Sequence, residues 1–206
     1  MHKKSVGEGH WEGIRKLREL ANWAKELNIK YLTVWALSTE NLMREEKEVK
    51  ILFRLFNKTI KNLVKEKIEN TEIKFYGNLN MLPKEIRNKI KEVERKYKGE
   101  LKLSILIAYG GRKEIIDAVN KIIKDAKKGR ISKVSEEKFR SYLYAPDIPD
   151  PDLIIRTSEK RLSGIFPWQS TYSEVYFCNK LWPDFEREDL IKAVREYKKR
   201  KRRFGK

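Results

Sequence analysis

Cysteine is almost absent from this sequence, since Cys178 is the only one in 206 residues. A single cysteine cannot form an intrachain disulfide, so the fold does not depend on crosslinks and a reducing compartment is expected. No apolar run approaches the ~20 residues of a membrane-spanning helix, and the N-terminus lacks the pattern of a signal peptide. Internal repeats and Gly/Ser-rich linkers are also missing. We therefore expect one soluble, cytoplasmic domain, with peripheral contact to a membrane as an additional option.

Charge, in contrast, is plentiful. Charged residues make up 38% of the chain, against roughly 25% in ordinary globular proteins. The 48 Lys and Arg residues exceed the 30 Asp and Glu residues, which gives a net charge of +18. This excess favours anionic partners: diphosphates, acidic lipid surfaces or nucleic acid. Apolar residues make up 40% of the chain, which is enough for a core and argues against intrinsic disorder.

Two hydrophobic periodicities alternate along the chain. Short apolar runs predict strands at 31–37, 73–76, 101–108, 153–155 and 175–178. Helical spacing predicts helices over 14–27, 48–70, 84–98, from 115 to about Gly129, from the cap Ser135 to Leu143, and from Glu186 into the basic run Lys198–Arg203. The run 101–108 is apolar at nearly every position, as in a strand buried on both faces. The pattern predicts an α/β fold: a single domain with a mostly parallel central sheet flanked by helices.

Polar segments follow three of the predicted strands, and ligands of parallel sheets bind at these carboxyl ends. The segments are Ser38-Thr39-Glu40-Asn41 with Arg44, Tyr109-Gly110-Gly111-Arg112, and Arg156-Thr157-Ser158 with Arg161 and Ser163. They would gather four arginines and several hydroxyls on one edge. Planar guanidinium groups suit phosphate oxygens, so the sequence predicts a site for a phosphorylated or diphosphorylated ligand.

Each segment also has a simpler interpretation. The tetrad 38–41 could cap a following helix, because Ser, Thr and a nearby Glu are capping residues. Gly110-Gly111 could be only a tight turn between strand and helix. A single arginine is usually a solvated surface group. Only the convergence of all three segments on one edge favours the ligand site.

The same segments belong to an ordered set of motifs that covers nearly the whole chain. The set comprises Gly9-His10-x-x-Gly13, Ala36–Asn41 with Arg44, Tyr109–Arg112, Pro149–Ser158, Arg161-Leu162-Ser163, Trp168-Gln169, Ser173-Glu174, Leu181–Phe185 and Arg203-Phe204-Gly205. In this order the motifs resemble the cis-prenyltransferase family, of the undecaprenyl diphosphate synthase type. The resemblance implies a Mg²⁺-dependent enzyme that condenses isopentenyl diphosphate onto an allylic diphosphate and produces a long-chain polyprenyl diphosphate lipid carrier.

The resemblance also implies roles for individual residues. Asn41 resembles a residue that assists proton removal at the condensation centre, and Glu174 resembles the acidic residue associated with Mg²⁺. The residues that it implies in substrate binding are His10, Ser38, Thr39, Glu40, Leu42, Arg44, Arg156, Arg161, Leu162 and Ser163. Arg203 and Gly205 resemble residues that reach the neighbouring site of a homodimer. Helices near 48–70 and 84–98 resemble those that line the product tunnel, although Phe53, Phe56 and Leu63 each fit an ordinary core better.

The sequence departs from the family in one major respect: it contains no Asp-Gly-Asn-x-Arg segment, which in the family follows the first strand and carries an essential aspartate. Either Met1 is an internal methionine of a longer protein, which we favour, or the chain is a short form that acts as a partner subunit. The second functional hypothesis is therefore a non-catalytic subunit of a heteromeric transferase. A nucleic-acid-binding domain, suggested only by the basic run Lys198–Arg203, ranks third.

Overall fold

The computed structural model describes residues 6–65 and 68–202, with only the backbone described for residues 6–15. In this part of the chain the helices are α1 (Val6–Glu26), α2 (Glu46–Lys65), α3 (Lys84–Lys96), α4 (Gly111–Lys127), α5 (Glu136–Arg140) and α6 (Arg187–Lys199). The strands are β1 (Tyr31–Ser38), β2 (Thr71–Tyr76), β3 (Leu101–Tyr109), β4 (Leu153–Thr157) and β5 (Glu174–Cys178). The chain divides into two compact units, one formed by residues 31–149 and the other by the residues on either side of that range.

The unit formed by residues 31–149 contains a three-stranded parallel sheet in the order β1–β3–β2. β3 lies in the centre and is buried from Leu103 to Tyr109, which confirms the strand expected from the unbroken apolar run. β1 is an edge strand of this sheet and its side chains are mostly half-exposed, because β3 is its only pairing partner among the described residues.

Helices α2 and α3 pack against each other, and α3 packs against β2. The buried side chains of α3, Ile86, Ile90 and Val93, recur at the spacing of one helical face. Each fully buried aliphatic side chain contributes about 1.5–3 kcal/mol, so this face holds the helix to the unit. The Glu94 carboxylate adds a hydrogen bond from the Phe75 amide at 2.9 Å.

The second unit contains β4 and β5, which pair in parallel from Leu153 opposite Glu174 to Thr157 opposite Cys178. Helices α1 and α6 belong to this unit; they contact each other, and α6 also contacts β5. The predicted α/β class with parallel strands and flanking helices is therefore confirmed. The strands are hydrogen-bonded as one three-stranded and one two-stranded sheet.

Two long helices end earlier than the sequence pattern predicts. α2 is described as far as Lys65 and the chain is no longer helical at Ile68, and Asn70 has a left-handed backbone (φ 48°) that turns the chain into β2. α6 stops at Lys199, so it covers only the first part of the predicted basic run. Arg200 is extended, and its Nη1 donates to the Glu174 carboxylate at 2.6 Å. In both places tertiary contacts or a turn outweigh a helical pattern.

The helix predicted from Ser135 to Leu143 also ends early, at Arg140. Its start is as expected, because the Ser135 hydroxyl accepts a hydrogen bond from the Lys138 amide at 3.1 Å. Beyond Arg140 the chain contacts another helix, because the Tyr142 hydroxyl donates a hydrogen bond to Asp125 of α4 at 2.9 Å.

The core assignment on α2 is correct for Leu63, which is buried. It is wrong for Phe53 and Phe56, which are only half-buried. Leu52 and Ile60 fill the core side of the helix instead.

Candidate active site

The carboxyl ends of β1 and β3 lie side by side, as the sequence predicts. Ser38 pairs with Tyr109 in the sheet register, and the Thr39 amide donates to the Tyr109 carbonyl at 3.0 Å. Gly110 follows at the start of α4, where an added Cβ would lie 2.1 Å from Thr39 Oγ1. Only glycine lets the backbone at position 110 lie this close to Thr39, so Gly110 is needed for packing between the segments that follow β1 and β3.

Ser38 and Asn41 hold each other by two reciprocal hydrogen bonds. The Asn41 amide N–H donates to Ser38 Oγ, and the Ser38 amide N–H donates to Asn41 Oδ1, both at 3.1 Å. The capping interpretation thus describes part of what this segment does. Since Oδ1 already accepts a hydrogen bond, the group that Asn41 leaves unpaired in the described structure is its Nδ2 donor. Such a donor suits a phosphate oxygen.

The residues next to this pair range from buried to exposed. Thr39 is buried and its hydroxyl donates to the exposed Glu40 carboxylate at 3.1 Å, while Leu42 is half-buried. The Arg44 guanidinium is exposed and lies 3.7 Å from Glu48. Arg112 is exposed at the first turn of α4. Exposed ion pairs of this kind contribute little stability, so Arg44 is available to a ligand.

Glu114 is a buried carboxylate that the sequence interpretation missed. Its side chain is fully buried, accepts a hydrogen bond from the Tyr109 hydroxyl at 2.6 Å and another from the Tyr144 amide at 2.9 Å. Burial of a carboxylate requires such partners. Glu114 therefore fixes the end of β3 to the segment that follows α5. The only signal in the sequence was an acidic residue in the first turn of a helix, where acids are common.

Beside it, Asp117 accepts hydrogen bonds from Lys113 and Tyr144. Burial alone would raise the pKa of Asp117, but these two hydrogen bonds outweigh it, so the pKa lies below its usual value. Burial and the bond to Asp117 raise the pKa of Tyr144. Both groups therefore keep their ordinary charge at neutral pH.

The predicted diphosphate-binding arginines lie at the carboxyl end of β4, in the second unit. Arg156 is half-buried, and its Nε is buried without a hydrogen-bond partner among the described residues. Arg161 and Ser163 are exposed and Leu162 is half-buried. Arg156 and Arg161 both donate to the carboxylate of Glu159, which the sequence interpretation did not select. A buried donor without a partner suits an anionic ligand.

Glu174 lies at the start of β5, as expected, and it is paired with Arg200. Within the described residues, no three His, Cys, Asp or Glu side chains lie close enough together to hold a metal ion. Mg²⁺ prefers octahedral oxygen coordination and often keeps phosphate and water ligands. The side chains of the described residues therefore do not form a Mg²⁺ site by themselves, and Glu174 could supply at most one ligand.

Three predicted site residues remain outside this description. His10 belongs to α1, but only its backbone is described. Arg203 and Gly205 lie outside the described residues. Their roles stay predictions. No helix within the described ranges is long and apolar enough to cross a lipid bilayer.

A second polar cluster lies beside a cavity of about 250 Å³ that is lined by residues of all three strands of the larger sheet. Tyr76 donates to Asp147 at 2.9 Å, and Lys74 forms an ion pair with the same carboxylate. Burial alone would raise the pKa of Asp147, but the hydrogen bonds from Lys74 and Tyr76 lower it below its usual value. The hydrogen bond to Asp147 raises the pKa of Lys74. These charges neutralise each other within the cluster.

Comparison with known proteins places these features in one family. The prenyltransferase family of undecaprenyl diphosphate synthases matches residues 1–205. An isoprenyl transferase of Thermotoga maritima is 46% identical over 202 residues, which cover 96% of this chain and 87% of the relative. A geranylgeranyl-diphosphate-specific tritrans,polycis-undecaprenyl-diphosphate synthase of Methanopyrus kandleri is 46% identical over 207 residues, covering 96% of this chain and 76% of the relative.

Solved structures agree with the sequence relatives. The crystal structure of lavandulyl diphosphate synthase from Lavandula x intermedia, in complex with dimethylallyl diphosphate, matches with a TM-score of 0.89 at 33% identity. The match covers 98% of this chain and 90% of that one. The motif order, the parallel α/β fold and these similarities lead to one conclusion: the chain belongs to the cis-prenyl diphosphate synthase family of prenyltransferases.

Proposed function

We propose that this chain elongates an allylic diphosphate with isopentenyl diphosphate and produces a polyprenyl diphosphate with cis double bonds. The observation that carries the proposal is the pair Arg156 and Arg161, whose guanidinium groups meet at one carboxylate beside an Arg156 Nε that has no partner within the described part of the chain. A diphosphate offers several oxygens for such forks. Similar proteins carry out this class of reaction according to their names.

The condensation forms one carbon–carbon bond at the allylic carbon and breaks the bond between that carbon and its diphosphate, which leaves as pyrophosphate. The isopentenyl unit loses one proton, which the departing pyrophosphate can accept. In our proposal Arg156, Arg161 and the Ser163 hydroxyl hold the isopentenyl diphosphate. Ser38 and Asn41 form the polar pair near the condensation centre, where Asn41 Nδ2 donates to a phosphate oxygen and so assists proton removal by positioning the oxygen that accepts the proton. Arg44 and His10 contact the allylic diphosphate. Prepositioned donors of this kind stabilise developing negative charge.

We propose that Mg²⁺ enters bound to substrate diphosphate, with Glu174 as one carboxylate ligand. Bound there, Mg²⁺ would neutralise negative charge on the diphosphate. The described side chains offer too few ligands for an ion held by protein alone. Equilibrium dialysis with pyrophosphate tests this: Mg²⁺ should be retained only when pyrophosphate is present, and less by Glu174→Gln.

The half-buried Phe53 and Phe56 on α2 are proposed to contact the growing chain. An apolar surface suits this product, since each buried methylene contributes about 0.8 kcal/mol. Replacing Phe53 by Ala should shift the distribution of product lengths while the affinity for isopentenyl diphosphate stays unchanged. An unchanged product distribution would remove Phe53 from the proposed product path.

Isotopically labelled isopentenyl diphosphate with an allylic primer tests the reaction, and calorimetric titration tests the binding step separately. Charge-assisted hydrogen bonds contribute about 1.5–3 kcal/mol, so Arg156→Ala should weaken isopentenyl diphosphate binding roughly 10-fold to 100-fold. Arg156→Lys keeps the charge but loses the planar pair of N–H donors, so its affinity for isopentenyl diphosphate should lie between those of the wild type and Arg156→Ala. Arg187→Lys is the matched control, because Arg187 pairs with Glu26 in the same unit. Wild-type affinity in Arg156→Ala would contradict the assignment.

The same assay separates the enzyme from a non-catalytic subunit. A chain that binds isopentenyl diphosphate but elongates a primer only after a second homologous chain is added would be a partner subunit. Elongation by the purified chain alone supports the enzyme.

We further propose a cytoplasmic homodimer with peripheral membrane contact during release of its lipid product. The unpaired Cys178 and the net charge of +18 are compatible with this location and contact. Exposed Ile116, Val119 and Ile123 lie on one face of α4, which a second copy would bury. The double variant Ile116→Lys/Ile123→Lys should sediment as a monomer with unchanged melting temperature. If it sediments as a dimer, the interface lies elsewhere.

A further inference from the structure

Glu159 lies between the two arginines to which the proposed function assigns the isopentenyl diphosphate. Arg156 Nη2 donates to one of its carboxylate oxygens, and Arg161 Nη2 donates to the other. The Glu159 carboxylate therefore accepts one hydrogen bond from each of the two guanidinium groups. This is the position that two oxygens of a phosphate group would take in a charge-assisted pairing.

The backbone determines this position of the carboxylate. β4 ends at Thr157, and Ser158 then adopts a left-handed conformation with φ 63°. The Ser158 amide is shared between the carbonyls of Cys178 and Lys180, at 2.9 and 3.0 Å, while the Glu159 amide donates to the Thr157 carbonyl at 2.8 Å. The resulting tight turn presents Glu159 beside the last part of the strand that carries Arg156.

Left-handed backbone recurs at single residues later in this loop. Ser163 has φ 52° and Phe166 has φ 45°, and neither is glycine. Conformations of this kind are costly and persist where the surrounding structure holds them. The turn is therefore a defined structure, and its carboxylate is a built part of it.

The contact is nevertheless weak enough to exchange. Arg161 has a side-chain exposure of 69% and Glu159 of 36%, so water screens their ion pair. A diphosphate carries more negative charge and more acceptor oxygens than a single carboxylate. It can use the same two guanidinium groups and also the buried Nε of Arg156, to which no described residue is hydrogen-bonded.

We propose that Glu159 is a placeholder carboxylate for the diphosphate of isopentenyl diphosphate, an inference that rests on the proposed function. In the empty site it holds the guanidinium groups of Arg156 and Arg161 in position and reduces their mutual repulsion. The incoming diphosphate displaces it, and its side chain turns to solvent. Glu159 is a positioning residue whose negative charge competes with the substrate.

Replacing Glu159 by Gln tests the competition, because the amide keeps the size of the side chain and removes its charge. Titration of the full chain with isopentenyl diphosphate, and separately with inorganic pyrophosphate, should show binding about 3-fold to 10-fold tighter than in the wild type, since one half-buried and one exposed ion pair no longer have to break. The affinity for the allylic diphosphate should not change. Unchanged or weaker isopentenyl diphosphate binding overturns the placeholder role.

Two controls separate this effect from general charge and stability. Glu196→Gln removes the same charge from the same unit, where Glu196 pairs with Lys199 at 3.0 Å, and should leave the affinity unchanged. Equal tightening in Glu196→Gln would show a general charge effect and overturn the proposal. In an Arg161→Ala background, Glu159→Gln should give a smaller gain than in the wild type, because one of the two contacts is already absent. An equal gain in both backgrounds means that Glu159 does not act through Arg161.

The proposal and the function on which it rests fail in different ways. If wild type and Glu159→Gln both fail to bind isopentenyl diphosphate, the proposed function is wrong and the placeholder role falls with it. If the wild type binds and depends on Arg156, but Glu159→Gln binds equally well, only the placeholder role is wrong.

Discussion

Replacing Gly110 by Ala should destabilise the protein through a single close approach. The backbone at Gly110 is extended, with φ −148°, so an alanine can adopt it. The new methyl group, however, would lie 2.1 Å from Thr39 Oγ1 and 3.3 Å from Thr39 Cβ. Thr39 is buried and its β-branched side chain has few alternative rotamers. The two segments must therefore move apart.

Overpacking of this kind costs about 1–3 kcal/mol. For a chain of this size, each kcal/mol lowers the melting temperature by roughly 2–4 °C. Urea denaturation of Gly110→Ala measures the free energy of unfolding. The Thr39→Ala/Gly110→Ala double variant removes the colliding oxygen, so the two changes should be coupled by about 1 kcal/mol or more.

Gly129 provides the matched control for this cycle. It has a left-handed backbone, φ 69°, and no atom of the described residues lies within 4 Å of an added Cβ. Gly129→Ala should therefore be destabilising for a conformational reason, and its cost should add to that of Thr39→Ala. The reasoning is refuted if the free energy of unfolding of Gly110→Ala lies within about 0.5 kcal/mol of the wild-type value, which is the range of neutral surface changes. It is also refuted if Thr39→Ala does not change the destabilisation caused by Gly110→Ala.

Two further predictions concern buried or paired carboxylates. Glu114→Gln leaves one of the two donors, the Tyr109 hydroxyl or the Tyr144 amide, without an acceptor. Urea denaturation should therefore show that the free energy of unfolding falls by about 1–3 kcal/mol, and an unchanged midpoint would contradict this. For Asp147, whose folded pKa is lowered, the stabilisation is fully present above the ordinary pKa of about 4 and is lost as pH falls through the folded value. Stability measured from pH 7 to 2 should therefore fall less steeply in Asp147→Asn than in wild type, and equal slopes would contradict the assignment.

The strands and their parallel direction were predictable from local pattern. An unbroken apolar run marks β3 as buried, and the strand–helix alternation implies parallel pairing, which brings Ser38 next to Tyr109. Helix ends were less predictable. The basic residues after Lys199 continue a good helical sequence, but the pairing of Arg200 with Glu174 is a long-range contact that no local pattern contains.

The candidate site divides in the same way. Arg156 and Arg161 could be selected from their place after a strand and from the family motif. Glu159 could not, because an acidic residue next to a lysine in a polar loop is typical of a solvated surface. Its position depends on the left-handed backbone at Ser158, a conformation that serine adopts rarely. Glu114 was missed because its burial depends on contacts from Tyr144, thirty residues along the chain.

The pairing of Arg200 with Glu174 makes the segment 200–202 a reporter of the state of that carboxylate. Arg202, two residues further, is bound to Asp152 and to the Tyr197 hydroxyl, so the whole segment from 200 to 202 is held at the amino ends of β4 and β5. A cation that takes the Glu174 carboxylate repels Arg200 and weakens the first of these contacts. Binding of a cation to the Glu174 carboxylate and binding of the segment 200–202 to this unit therefore oppose each other. A fluorescent label on that segment would report binding of the cation.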